Sequence, residues 1–309
     1  MTKTARTTTD LFDYYRQQSA YSTAGALASL YDDLPDDIPS LCDALHGALI
    51  HMFWIGENTY GITHEQLKAD GRKICVEFSY SSAEERLQNI MDLEDKPLIE
   101  SREPRLRSVG CCRDYALMLA SILRHKGIPA RVRTGVALYF LSPDGPLFED
   151  HYITEHWNAA ENRWQLTDPQ IDDVQRPAVE KGLNTSDLPN DVFLTGWQLL
   201  EGLRAGDVPE SVGFPPVNAG LTYGRSKLFA DFVGMTGHEL PVHAWWGIGN
   251  PKSIKPEDDA LIDLIIRLLQ GIDANDPAAL EEALQLAATH ERLKMPEGYT
   301  VKTYKAPFC

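Results

Sequence analysis

Two adjacent cysteines lie at the start of the clearest helical pattern in the sequence. Residues 110–116 have the sequence GCCRDYA, and apolar periodicity predicts a helix over residues 111–126. The N-terminus of a helix presents unpaired N–H groups and a partial positive charge, which lower the pKa of a thiol and could bind an oxyanion. Cys111 or Cys112 could therefore act as a nucleophile, although a cysteine in such a position is more often a small buried hydrophobe.

Two histidines follow on a predicted strand. Residues 149–157 have the sequence EDHYITEHW. Because side chains alternate along a strand, His151 and Glu155 should share one face, and His156 should lie on the other. An imidazole titrates near neutral pH, so a histidine on this strand could exchange a proton with a nearby nucleophile.

A carboxylate comes next, at the end of a second predicted strand. Residues 163–169 have the sequence RWQLTDP, and a polar turn joins them to the preceding strand. If the two strands form a hairpin, Trp157 lies near Arg163, and His151 lies near Asp168 or the proline after it. A carboxylate beside an imidazole fixes its tautomer and stabilises its protonated form. Cysteine, histidine and aspartate are then placed as a thiol acyltransferase requires.

The elements around these residues predict an α+β protein. The central helix, which Gly127 ends, leads into an antiparallel meander of strands, and further helices lie on both sides. A first helix is predicted to begin at residues 9–10. The other predicted helices cover residues 38–53, 83–93, 111–126, 259–269 and 277–289, and the predicted strands cover residues 131–140, 147–157 and 163–168. Residues 1–9 are predicted to be disordered, residues 142–145 to form a turn, and residues 295–309 to be extended.

Composition limits the class of protein. The chain has 309 residues, of which 43% are hydrophobic, and its net charge is −16. It can bury a large core, and extensive disorder is excluded. Without a basic surplus, neither a nucleic acid nor a membrane surface is an expected partner, and no apolar run is long enough for a membrane helix. Since no linker divides it, we predict a single domain over residues 1–309, with a core over about 40–175 and a helical C-terminal elaboration over 176–309.

The cysteines and the start of the chain favour a cytoplasmic location. The number of cysteines is odd and two of them are adjacent, which makes a poor disulfide framework. The first residues contain no apolar segment of the kind that directs secretion. Free thiols in a reducing compartment are the simplest interpretation of the five cysteines, which are Cys42, Cys75, Cys111, Cys112 and Cys309.

These motifs resemble the transglutaminase-like superfamily of papain-type cysteine enzymes, and more loosely its bacterial transglutaminase-domain proteins. The resemblance covers residues 105–172. It is carried by GCCRDYA at 110–116, LRHKGIPAR at 123–131, Thr134-Gly135, His151 with Glu155 four residues later, and Trp164 with Asp168-Pro169. It implies a transglutaminase-like or papain-like core in which the helix that carries the cysteine packs on an antiparallel sheet.

The resemblance implies a role for three residues. Cys112 matches the nucleophile of the superfamily because it directly precedes Arg-Asp, and Cys111 is expected to turn about 100° away into the core. His151 matches the general base, and Asp168 matches the acid that orients it. No cofactor and no metal ion belong to this set.

Two departures from the family pattern leave alternatives open. Ile153 stands where many members have tryptophan, and Gln170 stands where many have threonine. The first departure leaves His156 as a second candidate base. The donors of an oxyanion hole are also open: the backbone N–H of Cys112 is expected to be one of them, and the other could come from His51, Trp54 or Asn58.

The activity that the resemblance implies is cysteine-dependent acyl transfer. The Cys112 thiolate would attack an amide or thioester, and water or an amine would resolve the thioacyl-enzyme. The substrate would be a small molecule, a peptide or a carrier-bound acyl group. Three alternatives compete with this hypothesis. A metal site is disfavoured because the spacings of cysteine and histidine do not match known metal motifs, and a calcium-dependent cross-linking enzyme is disfavoured because no EF-hand loop is present. The third alternative is a catalytically inactive binding module of the same fold.

Overall fold

The computed structural model describes residues 10–142, 147–242, 244–253 and 255–299. The predictions made for residues 1–9, for 143–145 of the turn and for 300–309 of the extended C-terminus lie outside these ranges. The fold is α+β, as predicted. In chain order its elements are α1 (Leu11–Arg16), α2 (Ile38–Ala48), β1 (Leu49–His51), α3 (His64–Ala69), α4 (Ile74–Phe78), α5 (Ala83–Leu93), β2 (Ser108–Gly110), α6 (Cys112–His125), β3 (Ala130–Ala137), β4 (Glu149–Asn158), β5 (Arg163–Thr167), β6 (Phe193–Thr195), α7 (Gly196–Ala205), β7 (Gly213–Phe214), β8 (Asn218–Ala219), α8 (Gly220–Met235), α9 (Asp259–Asp273) and α10 (Pro277–Thr289).

Of the helices α1 to α5, all but α4 begin at a side-chain cap. The Asp10 carboxylate accepts the N–H of Asp13 at the start of α1, and Ser82 with Glu85 forms a capping box at the start of α5. The prediction for α5 is confirmed. The prediction that α2 continues to residue 53 is wrong, because the chain becomes extended at Leu49 and enters β1.

A two-stranded parallel ladder lies directly before the cysteines. β1 pairs with β2, and His51 lies opposite Gly110. The prediction contained neither strand, since each is only three residues long and is buried throughout. The ladder brings a histidine from the N-terminal part of the chain to the start of α6.

Helix α6 is the centre of the fold. The prediction placed it over residues 111–126 with one apolar face. In the structure every residue from Cys112 to Arg124 is buried, because α2 and α5 pack on one side of the helix and the sheet packs on the other. Gly127, at φ +76°, ends the helix in the left-handed conformation, as predicted.

The main sheet has the strand order β5-β4-β3-β6 and is antiparallel. Its three long strands confirm the predicted meander, and β6 was not predicted. The predicted hairpin is present: Trp157 lies opposite Trp164, next to Arg163, which pairs with Asn158. The turn of the hairpin ends at Asn162, whose positive φ of 53° sets where pairing begins.

The C-terminal helices pack on one another and against the sheet. α9 and α10 were predicted with nearly these bounds, but α7 and α8 were not. Most of α8 is buried, so it has no polar face to give a periodic signal. A Cβ at Gly224 would lie 2.7 Å from the Leu203 side chain, so this glycine lets α7 and α8 approach closely. The single-domain division of the chain stays a prediction.

A buried ion network joins the sheet to the C-terminal helices. Arg133 on β3 binds Asp231 of α8 through two 3.0 Å hydrogen bonds, and it also binds Asp273 of α9. Arg131 and Glu155 complete the network. The Asp231 carboxylate also accepts the backbone N–H of Thr134 at 3.0 Å. The open edge of β3 is thereby closed beyond the short pairing with β6.

We expect Arg133→Met to lower the free energy of unfolding by about 3 to 5 kcal/mol, because it leaves buried carboxylates without their counter-charge. Urea unfolding followed by circular dichroism measures the change. Arg204→Met is the matched control: Arg204 pairs at the surface with Glu201 and Asp263, and its loss should cost less than about 1 kcal/mol. Equal effects of the two substitutions would show that the network contributes no more than a surface pair.

Candidate active site

The Cys112 thiol lies in the first turn of α6. Cys112 is 8% exposed, and Cys111, one residue earlier, is the N-cap of the helix. The side chain of Asp114 accepts the backbone N–H of Cys111 at 2.8 Å. The thiol therefore stands beside the positive end of a helix whose start is fixed by hydrogen bonding.

His151 and Asp168 form a buried pair. His151 Nε2 lies 2.9 Å from Asp168 Oδ2, and the two side chains are 2% and 0% exposed. The other carboxylate oxygen accepts the backbone N–H of Gln170 at 2.9 Å. Because Asp168 occupies Nε2, the nitrogen left for a hydrogen bond to the thiol is Nδ1.

The structure brings the thiol to this pair. The side chains of Cys112 and His151 are hydrogen-bonded to each other. Hydrogen bonds from Cys111, His151 and His51 outweigh burial and hold the pKa of the Cys112 thiol well below its usual value. Burial lowers the pKa of His151, but Asp168 and Cys112 outweigh it and raise this pKa well above its ordinary value. The arrangement favours a thiolate beside an imidazolium.

Cys111 has the packing that was predicted and a further contact that was not. It packs in the core around Ile50 and Val109, as predicted. However, its thiol also bonds to the thiol of Cys112, and this bond together with burial raises the pKa of Cys111 well above its usual value. Cys111 therefore keeps its proton and donates it towards the Cys112 sulfur.

Of the three candidates for an oxyanion donor, His51 is the one that the structure places at the thiol. It ends β1, is 7% exposed, and its side chain bonds to Cys112. His51 Nδ1 accepts the backbone N–H of Phe53 at 3.4 Å, which leaves the proton on Nε2. The other two candidates, Trp54 and Asn58, belong to the segment that follows β1. In this segment the Trp54 carbonyl accepts a hydrogen bond from the Thr59 hydroxyl at 2.5 Å.

Tyr139 is a residue of the site that was not predicted from the sequence. Its hydroxyl donates to Asp168 Oδ2 at 2.7 Å, the same oxygen that His151 contacts. Its ring packs edge-on against His151, with 6.2 Å between centroids, and the Phe140 ring does so at 5.3 Å. The alternation over residues 131–140 predicted Phe140 as an apolar strand residue, although β3 ends at Ala137. Nothing in the sequence links a tyrosine hydroxyl to this carboxylate.

The alternative base His156 lies elsewhere on β4. It stands opposite Ala130 and Gln165, five residues beyond His151. Burial lowers the pKa of His156 to about 4, so this imidazole is neutral near pH 7. Its Nδ1 is buried without a partner in the described chain.

Glu155, which the family spacing singled out, is also away from the thiol. Its carboxylate binds Arg131 and Arg133 in the buried network. Burial raises the pKa of Glu155, but the two guanidinium groups outweigh it and lower the pKa to about 2. Its role in the structure is to hold the far end of β4.

A polar cleft borders the loop that follows Asp168. It has a volume of about 430 Å³ and is lined by His46, Tyr60, Arg107, Asp172 and Arg176, among others. His46 Nε2 lies 3.0 Å from the Pro169 carbonyl, so the cleft adjoins the acid of the pair but not the thiol.

Two further findings concern cysteines and metals. Cys75 on α4 is disulfide-bonded, so the expectation that all five thiols are free is wrong. In residues 10–142, 147–242, 244–253 and 255–299, no group of three or more His, Cys, Asp or Glu side chains is placed to hold a metal ion.

A thiol, an imidazole and a carboxylate thus lie side by side in the order Cys112, His151 and Asp168. Residues 70–169 match the family model of the transglutaminase-like superfamily. This segment contains Cys112, His151 and Asp168. The match confirms the resemblance seen in the sequence and supports a cysteine-enzyme-like fold.

Similarity to individual known proteins is weak. The chain is similar to a solved structure from Cytophaga hutchinsonii described as a "Putative Cysteine Protease", with 15% sequence identity and a TM-score of 0.30. The match covers 60% of this chain and 45% of that one, so the chain spans less than half the length of the solved protein. The comparison with curated proteins finds no match.

We expect the alkylation of Cys112 by iodoacetamide to stay fast well below pH 8, because a thiol with a lowered pKa is still a thiolate there. Cys42, whose pKa burial raises, should stay unreactive. The rate at each residue is measured by peptide mass spectrometry between pH 4 and 9.

Cys111→Ala and His151→Ala each remove a hydrogen bond that lowers the pKa of Cys112. The alkylation profile of Cys112 should therefore move to higher pH in both variants. At low pH the rate follows the thiolate fraction, so we expect it to fall by about tenfold or more. Cys42→Ala is the control. Unchanged profiles in both variants would contradict the described pairing.

Proposed function

We propose that the protein is a thiol acyltransferase or amidohydrolase in which Cys112, His151 and Asp168 form a catalytic triad. The observation that carries the proposal is the chain of hydrogen bonds from the thiol to the imidazole and on to the buried carboxylate. The lowered pKa of Cys112 and the raised pKa of His151 support it, since these shifts give a nucleophile and a proton donor at neutral pH.

The proposed reaction has two steps. The Cys112 thiolate attacks the carbonyl carbon of an amide or thioester, and the His151 imidazolium gives its proton to the leaving amine or thiol. Water or an amine then attacks the thioacyl-enzyme, and His151, now neutral, takes a proton from it. The Asp168 carboxylate stabilises the imidazolium and keeps the ring oriented. Tyr139 would hold this carboxylate in place, so we assign it a positioning role.

The proposed oxyanion hole has one backbone donor and one side-chain donor. The backbone N–H of Cys112, in the first turn of α6, has no partner within the helix. The second donor would be His51 Nε2, which the Phe53 N–H supports by occupying Nδ1. Both groups would be aimed at the negative charge that develops on the carbonyl oxygen.

A catalytically inactive binding module of the same fold is the second candidate. The observation in its favour is burial, since Cys112 and His151 are 8% and 2% exposed. In that case the contacts of His151 with Cys112 and Asp168 would be intact, but a substrate could not reach them. An acylation experiment separates the two candidates.

The substrate class and the location belong to the same proposal. The substrate would be a small molecule, a peptide or a carrier-bound acyl group. In the described chain no helix combines the length and apolar character needed to cross a bilayer. A cytoplasmic location stays a prediction from the sequence, and the disulfide at Cys75 weighs against it because such bonds are rare in reducing compartments.

We expect p-nitrophenyl acetate to acylate Cys112, with a burst of nitrophenolate and an acetyl group on the Cys112 peptide. Cys112→Ala should give neither, and His151→Ala should slow the burst by about 100-fold or more. Added propylamine should yield the acetamide if amines are acceptors, and only acetate if water is. Alkylation of Cys112 by iodoacetamide without any acylation by the ester would favour the binding module.

The oxyanion hole has a test of its own, since alkylation of a thiol develops no oxyanion. His51→Phe should slow acylation of Cys112 by about 100-fold and should slow alkylation by iodoacetamide at pH 9 far less. His51→Gln, which keeps an N–H donor, should fall between His51→Phe and the unchanged protein. If acylation and alkylation decline by the same factor, His51 acts only on the thiolate and the assigned role is wrong.

A further inference from the structure

A carboxylate with no ion pair to the described residues stands at the solvent side of the proposed active site. Glu149 is the first residue of β4, two positions before His151. Residues two apart on a strand point to the same face and lie about 7 Å apart. Glu149 is exposed, whereas His151 and Cys112 are buried. Its cross-strand neighbour is Ala137, which offers only a methyl group.

The carboxylate interacts electrostatically with the reacting groups. Although the Glu149 side chain reaches solvent, its neighbours cover part of it. This partial burial raises the pKa of Glu149, the charges of His151 and His51 lower it, and those of Asp150 and Cys112 raise it. No ion pair or hydrogen bond of the Glu149 side chain occurs within the described residues. By contrast, the carboxylate of the next residue, Asp150, forms an ion pair with Lys227 of α8.

The acidic groups of the site outnumber its imidazolium. The imidazolium of His151 is the counter-charge for both the Cys112 thiolate and the Asp168 carboxylate. Glu149 adds a further negative charge, which forms no ion pair within the described residues. A ligand with a positive charge would supply the missing counter-charge.

We infer that Glu149 binds a cationic group of the substrate, an ammonium or guanidinium, next to the carbonyl that Cys112 attacks. The inference rests on the proposed function and names the substrate class of the same site. The bound cation is not the attacking nitrogen, because an ammonium has no free electron pair. The expected substrates are thus acyl compounds or acceptors that carry a separate positive charge, such as lysine- or arginine-containing peptides and diamines.

Charged thiol reagents test this inference without knowledge of the natural substrate. A methanethiosulfonate reacts when the thiolate attacks its sulfenyl sulfur, a disulfide forms with Cys112, and methanesulfinate leaves with the electron pair of the broken bond. The rate at Cys112 is measured for a trimethylammonium-ethyl reagent and for a sulfonatoethyl reagent. We expect Glu149→Gln to lower the ratio of the cationic to the anionic rate by about fivefold to tenfold at low salt, and less at high salt.

The matched control is Glu291→Gln, which removes the same charge from an exposed position after α10. It should leave the ratio unchanged. An unchanged ratio in Glu149→Gln, or the same decrease in both variants, overturns the inference while the proposed function stands. A Cys112 that reacts with neither reagent in the unchanged protein overturns both.

A second measurement concerns binding of an acyl donor. Two nitrophenyl esters are compared, one whose acyl chain ends in a trimethylammonium group and one whose chain ends in a carboxylate. Glu149→Gln should raise KM for the cationic ester about fivefold, leave kcat nearly unchanged, and lower KM for the anionic ester. A decrease of kcat alone, equal for both esters, would place Glu149 in the chemistry of the triad and not in charge selection.

Discussion

The whole arrangement depends on how the first turn of α6 is held. The Cys112 thiol can meet His151 only if the buried start of this helix faces the sheet, and buried charged groups hold that start in place. The Asp114 carboxylate receives the N–H of Cys111 and pairs with Arg86 at 3.1 Å. The Arg113 guanidinium donates to the backbone carbonyls of Tyr80 and Ser81. Because all these charges are buried and paired, removing one would leave its partner uncompensated.

From this position the two adjacent cysteines acquire opposite properties. Both are buried, and both lie at the same helix start. Cys112 receives hydrogen bonds from two imidazoles, and Cys111 donates to it, so the pKa of one falls while that of the other rises. The difference between nucleophile and neutral neighbour is therefore made by contacts across the fold and not by sequence position.

The sequence predicted the parts of the site that local patterns determine. The start of the helix followed from apolar periodicity, whereas the choice of Cys112 over Cys111 came from the resemblance to the superfamily. The proximity of His151 to Asp168 followed from the predicted hairpin, which brings nearby residues together. The contact between His151 and Asp168 does not depend on exact pairing, since Asp168 lies beyond the last paired residue of β5. The turn geometry that sets the register depends on the positive φ of Asn162, which a pattern of apolar residues does not reveal.

The contacts that the sequence could not predict join residues that lie far apart in the chain. His51 reaches the thiol through a ladder of three residue pairs, too short to leave an alternating pattern. Tyr139 reaches Asp168 across 29 positions of the chain. Helix α8 is buried nearly all round and contains glycines, which lower helix propensity, so its periodicity is weak. Contacts of this kind are made by packing of distant segments and appear only in the folded chain.

The C-terminal helices have a physical connection to the site through β4. At the start of this strand, Lys227 of α8 binds Asp150, the neighbour of His151. At its other end, Glu155 is bound by Arg131 and Arg133, which also reach Asp273 of α9. The strand that carries the imidazole is thus held at both ends by ion pairs. Since a small displacement of a proton-transferring group costs much of its effect, these helices serve the proposed chemistry by keeping the His151 ring within reach of the thiol.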